Sequence, residues 1–406
     1  MVLEYIPNIC TLDNRQQNNC LPIKEKEKYM IFELIATTTF GLEAVAKREI
    51  QALGYEIVRV EDGKVTYKAD ERGIVRSNLW LRTPDRILVK VDEFMAPEFE
   101  DLFQRVKGYP WEEIIPVDGK FTVIGTSVKS KLHSVPACQS TVKKAIVDRL
   151  SDFYCTELKE TGAEYTVKVT MLKDRATITI DTTGEGLHKR GYRQHAVAAP
   201  MKETMAAALV MLSFWKEGRL LVDPCCGSGT IPIEAAMIGM NIAPGLNRKF
   251  ASQEWDIIDK ELWKEEKKKA YEAIEYDRDL RIKASDINPE AIEAATENAI
   301  EAGVDECIEF ELRDVADMER YEDQGVVITN PPYGARIGDE EGIEKIYKSL
   351  NRFFKENKDW SLFLITTDED LEDKVMGRKA DRRRKLFNGR LKTCYYQFHG
   401  EKPAKK

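Results

Sequence analysis

From about residue 196 onward the chain alternates long helix-period segments with short, unbroken apolar runs, and this rhythm constrains the fold more than anything else in its 406 residues. Apolar runs of this kind between helices read as buried parallel strands, because a strand covered by helices on both faces has no polar side to show. The spacing predicts helices over 201–215, 290–302 and 342–357. Strands are predicted over 219–223, at 283–286, over 326–329 and 361–366, and around 385–399. An open parallel sheet takes its ligands at the carboxyl ends of its strands, so the residues that follow each apolar run are the candidate site.

Three strand ends carry chemistry. The first is Asp223-Pro224-Cys225-Cys226-Gly227-Ser228-Gly229-Thr230, between a strand and a helix. Its two glycines let backbone approach a ligand closely. A dinucleotide fingerprint fits poorly, because Pro232 stands at the third glycine position, and no Gly-Lys-Ser/Thr follows to make a phosphate loop. An ordinary glycine-containing turn is the plain alternative. The second end is Asp286 in Ser-Asp-Ile-Asn288-Pro, an acid placed to accept hydrogen bonds from ribose hydroxyls. It lies 63 residues after Asp223 rather than the usual spacing of about 20, so residues 241–280 are an insertion. The third end is Asn330-Pro331-Pro332-Tyr333-Gly334. Two prolines fix the backbone and remove two N–H donors. The Asn330 side-chain oxygen and the Pro331 carbonyl can then accept from a planar amino group while Tyr333 stacks on the attached base.

Upstream the texture differs. Residues 1–29 show no periodicity and carry an Asn/Gln cluster, without the basic start and apolar run of a secretory leader, and read as a disordered extension. Residues 30–95 read as a small α+β unit with a strand over 31–36, a helix over 41–53, and a hairpin whose strands 55–60 and 64–69 flank Glu61-Asp62-Gly63. Residues 96–195 read as a second α+β unit, with strands at 121–125, 165–170 and 176–181 and a helix over 140–153. None of the eight cysteines forms a C-x-x-C pair and none of the four histidines a ligand pair, so no metal is expected and a reducing, cytoplasmic location is. No apolar stretch reaches the roughly 18 residues of a membrane span.

The motifs together resemble the amino-methylating S-adenosylmethionine-dependent methyltransferases of the Rossmann type, with Asp-x-x-x-Gly-x-Gly and Asn-Pro-Pro-Tyr as signatures. Leu187-His188-Lys189-Arg190-Gly191-Tyr192-Arg193 resembles the junction that joins a THUMP RNA-binding domain to such a catalytic domain. The whole of 30–400 is similar to bacterial enzymes of the RlmL type, the large-subunit (23S) ribosomal RNA guanine-N2 methyltransferases, whose relatives also carry the description N6-adenine-specific DNA methylase. The resemblance implies an α/β fold: a ferredoxin-like unit over 30–95, a THUMP domain over 96–195 and a Rossmann-like methyltransferase domain over 196–406. It implies S-adenosyl-L-methionine held by Asp223, Cys225, Gly227, Gly229, Thr230, Asp286, Asn288, Asp314, Val315 and Asn330, with Asp314 receiving the adenine amino group. The catalytic residues are then Asn330, Pro331, Pro332 and Tyr333.

The expected partner is RNA, 23S ribosomal RNA or a precursor particle, with no membrane. The overall charge of −8 argues the other way until it is divided along the chain. Residues 251–330 carry −14, whereas 120–195 carry +5 and 377–398 carry +7. The acidic total averages over segregated charge. Phosphate contacts are expected from Lys129, Lys131, Lys143, Lys144, Lys189, Arg190, Arg193, Arg336, Arg382, Arg383 and Arg384. Two other readings compete: an adenine-N6 methylase acting on DNA, since the Asn-Pro-Pro-Tyr turn serves any flipped amino-bearing base, and a catalytically silent RNA-binding assembly factor. An intact cofactor pocket speaks against the second.

Overall fold

In the computed structural model residues 30–194, 201–321, 324–332, 340–389 and 391–401 are described. The extension expected over 1–29, together with Tyr333 and Arg336, lies outside them. In chain order the strands are β1 (Phe32–Thr38), β2 (Glu56–Glu61), β3 (Lys64–Ala69), β4 (Pro84–Met95), β5 (Lys120–Val128), β6 (Glu164–Leu172), β7 (Arg175–Asp181), β8 (Leu220–Asp223), β9 (Ile282–Asp286), β10 (Ile308–Leu312), β11 (Gly325–Thr329), β12 (Ser361–Thr366), β13 (Arg382–Asn388) and β14 (Leu391–Phe398). The helices are α1 (Glu43–Ala52), α2 (Glu71–Trp80), α3 (Phe99–Lys107), α4 (Val135–Tyr154), α5 (Glu203–Met211), α6 (Thr230–Gly239), α7 (Lys260–Glu272), α8 (Pro289–Ala302) and α9 (Glu340–Glu356). Two sheets result, ordered β2-β3-β1-β4-β7-β6-β5 and β10-β9-β8-β11-β12-β14-β13.

The described residues divide into two compact units, one holding those up to Leu34 with Lys68–Ile74 and Val89–Ile180, the other Ile35–Tyr67 with Val75–Leu88 and those from Asp181 onward. In the first, β5 and β6 pair in parallel from Lys120↔Glu164 to Val128↔Leu172. The connecting helix α4 starts five residues before the apolar periodicity does. Ser134 caps it by accepting from the Ala137 amide at 3.4 Å, and a proline occupies its first turn, where a missing N–H costs nothing.

In the second unit β8 lies between β9 and β11, parallel to both, and its four residues are all buried. β9 and β10 continue to one side and β11 and β12 to the other, so the strand order reverses at β8 and opens a crevice beside it. The sheet is covered on both faces. Leu209, Ile233, Ala236 and Ala299, from α5, α6 and α8, pack in one core, and Tyr347, Leu350 and Phe353 of α9 pack in another. Double coverage explains the unbroken apolar runs, since every residue of β11 and β12 is buried.

The unpatterned insertion has its own anchor: α7, on which Trp263 is buried and stacks against Phe250 with ring centroids 5.2 Å apart. The last two strands reverse direction. β14 runs antiparallel to β12, with Thr366 opposite Cys394 and Leu362 opposite Phe398, and β13 pairs with β14. The β13–β14 turn therefore sits at the carboxyl edge of β12. Among the described residues no helix is long and apolar enough to cross a membrane.

Candidate active site at the carboxyl edge of the second sheet

The parallel register places the ends of β8, β9 and β11 on one edge: Asp223 opposite Ala284, and Leu312 opposite Asp286. Neighbouring strands are about 4.8 Å apart, so Asp286 and Asn330 face each other across roughly 10 Å with Asp223 between them. The turn after β8 is shaped by Gly227 and Gly229 at φ +53° and +79°. A Cβ at Gly229 would stand 3.0 Å from the Ala295 Cβ, so only glycine allows α6 to start this close to α8. The first-turn amides of α6 follow directly at Thr230, giving this end of the site a positive partial charge.

Asp286 ties the turns together. One carboxylate oxygen accepts from the Gly227 amide at 2.9 Å and the other from the Asn288 amide at 3.0 Å. Each oxygen keeps a further lone pair for a ligand hydroxyl. Asn288 spends its own side-chain oxygen as the α8 cap, accepting from the Glu290 amide. Asp314 likewise accepts from the Ala316 amide at 2.9 Å and pairs with Lys345. Those two contacts, the amide first, hold its carboxyl below the usual range. Val315, next to it, is buried.

Three buried oxygens on this edge have no partner: the Ser228 hydroxyl in the turn after β8, and one oxygen each of Asp223 and Asn330. Asp223 is 1% exposed. Its Oδ1 accepts from the Thr329 hydroxyl at 2.8 Å and the Cys225 amide at 3.2 Å, while its Oδ2 bonds to nothing. Burial pushes the Asp223 carboxyl up to about 7 against the lowering effect of those bonds, and the nearby Asp286 charge pushes the same way. Asn330 follows β11, and its Oδ1 is likewise buried without a partner. Pro331 is buried and Pro332 exposed, so the turn goes from core to solvent within one residue. An unpaired buried oxygen costs about 1–3 kcal/mol. Those of Asp223 and Asn330, beside the topological switch point, fit a site built to receive a cationic group and an amino group from ligands.

Two residues of this edge carry no motif. Thr329 is fully buried and joins the Asp223 and Asn330 ends, and Ile287 is 67% exposed directly after Asp286, an apolar surface among polar ones. Position after a strand end was the available signal for Ile287, and no local signal pointed to Thr329.

The expected phosphate contacts separate. Lys129, Lys131, Lys144 and Lys189 are exposed, the last paired with Glu185; Lys143 is partly exposed and pairs with Glu160. Arg382 and Arg383 are exposed, with Arg383 over the Tyr396 ring, and Arg384 is half-buried. Arg190 is a correction. It is 2% exposed and donates to the Leu187 carbonyl at 2.7 Å, to the Arg82 carbonyl at 2.6 Å and to both oxygens of Glu234 at 3.3 and 3.4 Å. Arg193 also turns inward, donating to Thr230 Oγ1 at 2.7 Å and the Met201 carbonyl at 3.0 Å and pairing with Glu203. A run of cations in sequence says nothing of which ones find internal acceptors, and these two do.

Three family models match consecutive parts of the chain. The family described as "RMKL-like, methyltransferase domain" matches residues 190–397, the RlmL ferredoxin-like domain 33–88 and the THUMP domain 96–181. "Putative RNA methyltransferase YpsC" of Bacillus subtilis (strain 168) is 49% identical over 370 residues, covering 90% of this chain and 96% of the relative. A solved structure titled a "predicted N6-adenine-specific DNA methylase" from Listeria monocytogenes str. 4b F2365 is 47% identical, with a TM-score of 0.87 over 91% of this chain and 97% of that one. A third, "SMU.472, a putative methyltransferase complexed with SAH", is 44% identical, with a TM-score of 0.87 over 92% of this chain and 99% of that one.

Proposed function

The chain belongs to the RMKL-like methyltransferase family, and from that membership we propose that it methylates the exocyclic amino group of a base in RNA, guanine N2 of 23S ribosomal RNA or of its precursor particle. The observation that carries this reading is the unpartnered, buried Asn330 Oδ1 at the end of β11, next to the equally unpartnered Asp223 Oδ2. The cofactor is S-adenosylmethionine, which supplies a methyl group already activated on a sulfonium. No general base is then required, and geometry is what the protein has to provide.

Asp223 Oδ2 and the turn through Cys225, Gly227, Gly229 and Thr230 hold the cationic, methionine-derived end. Asp286 accepts from the ribose hydroxyls, Ile287 offers an apolar face to the adenine, and Asp314 and Val315 close around its far edge, with Asn288 keeping α8 in register behind them. On the substrate side, Asn330 Oδ1 and the Pro331 carbonyl accept the two N–H bonds of the amino group. That would orient the nitrogen lone pair at the methyl carbon, whose bond to sulfur breaks as the N–C bond forms, and stabilise the positive charge on nitrogen until it releases a proton to water. Pro332 keeps the turn rigid, and Tyr333, assigned by its sequence position, stacks on the base.

The THUMP match favours RNA as the substrate class, with Lys129, Lys131, Lys143, Lys144, Lys189, Arg336, Arg382, Arg383 and Arg384 as phosphate contacts. The domain limits 30–95, 96–195 and 196–406 and a cytoplasmic location belong to the same proposal. The name of the Listeria relative favours a second reading, adenine N6 in DNA. Mass-spectrometric nucleoside analysis of ribosomal RNA from a strain lacking the gene separates them. Loss of N2-methylguanosine is the expected result; unchanged ribosomal RNA with loss of N6-methyladenine from DNA establishes the alternative.

A further inference from the structure

The tip of the β13–β14 hairpin carries a feature that the catalytic edge does not use. A cavity of about 260 Å³ is lined by Thr39, Phe40, Asp85, Lys202, Phe387 and Asn388, among others. Phe40 and Phe387 meet edge to face at 6.1 Å between ring centroids, yet remain 48% and 38% exposed. The approach is close by construction: a Cβ at Gly41, whose φ is +92°, would stand 2.7 Å from the Lys385 carbonyl oxygen of β13. At that volume the cavity holds several waters and has room for a planar ring.

The surroundings are cationic. Lys202 stands in the cavity with Asp85 as its ion-pair partner at 3.6 Å. Outside the cavity lining, Arg384 on β13 feels the charges of Arg48 of α1 and of its neighbour Arg382, and its buried Nε has no partner. Burial first, and those two like charges after it, pull its pKa below the usual arginine value. Exposed aromatic rings with cations nearby are what a single nucleic-acid strand requires: a π-face for a base and positive charge for its phosphates. Because Thr366 pairs with Cys394, this tip lies on the same carboxyl edge as Asn330. β13 is three strands from β11, about 14 Å at the usual spacing, and Phe387 lies three residues beyond the level of Asn330, so the two are roughly 17 Å apart, a distance spanned by about five stacked nucleotides.

We propose that the Phe40–Phe387 cavity receives an unstacked base of the RNA strand, a few nucleotides from the methylated one, with Lys202 and the Arg48–Arg382–Arg384 cluster holding the adjoining phosphates. This rests on RNA being the substrate class. The test measures fluorescence anisotropy of a labelled single-stranded RNA dodecamer with the full chain across a salt series, and SAH affinity by calorimetry as the check on folding. Phe387→Ala is expected to weaken RNA binding roughly tenfold, within the range for one lost stacking contact, with the salt slope unchanged because a phenyl ring releases no counterion. Phe387→Trp restores binding, and Arg384→Ala flattens the slope by about 0.7. If the wild-type chain binds the dodecamer and Phe387→Ala binds equally well, the cavity is no base site and its aromatic rings serve another partner. If the wild-type chain does not bind it at all, the RNA reading falls with it.

Discussion

Two buried polar clusters in the second unit do opposite things. At the Arg190–Glu234 pair the donors and acceptors are matched. Glu234 takes bonds from Arg190 and from the Tyr192 hydroxyl at 3.2 Å, and the other Arg190 donors go to the Leu187 and Arg82 carbonyls; at its margin a nitrogen, Arg82 Nη1, goes unbonded. Around Asp223 and Asn330 the protein leaves one oxygen of each without a partner. A matched cluster spends its charge on holding the chain; an unmatched one keeps it for a ligand. Whether a polar residue is buried does not separate the two roles, and whether its bonding capacity is already spent does.

The largest expected effect lies on the matched side. Arg190→Ala leaves Glu234 charged in the core without its ion-pair partner, which costs about 3–5 kcal/mol. Urea unfolding is expected to show that loss, with RNA affinity of the folded protein at moderate salt unchanged. Arg190→Met combined with Glu234→Leu recovers most of the stability, because the ion pair itself contributes little once both charges are gone. A stable Arg190→Ala protein with weakened RNA binding would instead restore Arg190 to the phosphate contacts.

On the unmatched side, Asn330→Ala removes an acceptor aimed at the reacting nitrogen. Single-turnover methylation is expected to fall at least about 100-fold, the usual scale for one lost transition-state contact. The melting temperature and, within a few-fold, SAH affinity hold. Retained activity sinks the assignment.

Asp223→Asn tests both sides at once. The carboxyl of Asp223 is raised by burial from 3.8 to about 7, so its ionisation opposes folding. Its contribution to stability is complete below pH 4 and is lost as pH rises through 7. The Asn variant does not ionise. It is expected to melt several degrees above the wild type at pH 8 and level with it near pH 4, while binding SAH more weakly at pH 8. A variant no more stable at pH 8 would mean that Asp223 is satisfied in the free protein.

The contrast also marks what the sequence made legible. Strand ends at Asp223, Asp286 and Asn330 follow from apolar runs and from the rule for open parallel sheets, and the structure brings all three to one edge. The lysine and arginine readings fared unevenly because exposure and pairing are tertiary properties: Arg190 and Lys189 are neighbours in the chain, one sealed against Glu234 and one at the surface with Glu185. Helix α7 was hidden because its residues are mostly charged and only Trp263, Glu266 and Ala270 are buried. Thr329 was hidden because its work is to touch Asp223 across a strand spacing, a relation that no local pattern encodes.

Thr329 gives the smallest effect and the finest test. Its hydroxyl donates to Asp223 Oδ1 and is the leading influence that lowers the Asp223 pKa, opposing burial. The other groups around that carboxylate are the Cys225 amide, which also lowers it, and Asp286, which raises it. Asp223 must be ionised to take the cationic end of the cofactor, so SAH affinity is expected to rise with pH and level off once the carboxyl has lost its proton. Thr329→Val removes a donor that favours the ionised form. The midpoint of that rise is then expected to move to higher pH by up to about one unit, equivalent to roughly 1.4 kcal/mol, while Thr329→Ser keeps the donor and the wild-type midpoint. A uniform loss of affinity with no change of midpoint, equal in Val and Ser, would mean that Thr329 only packs between the strands, and the link between the two unmatched oxygens would be broken.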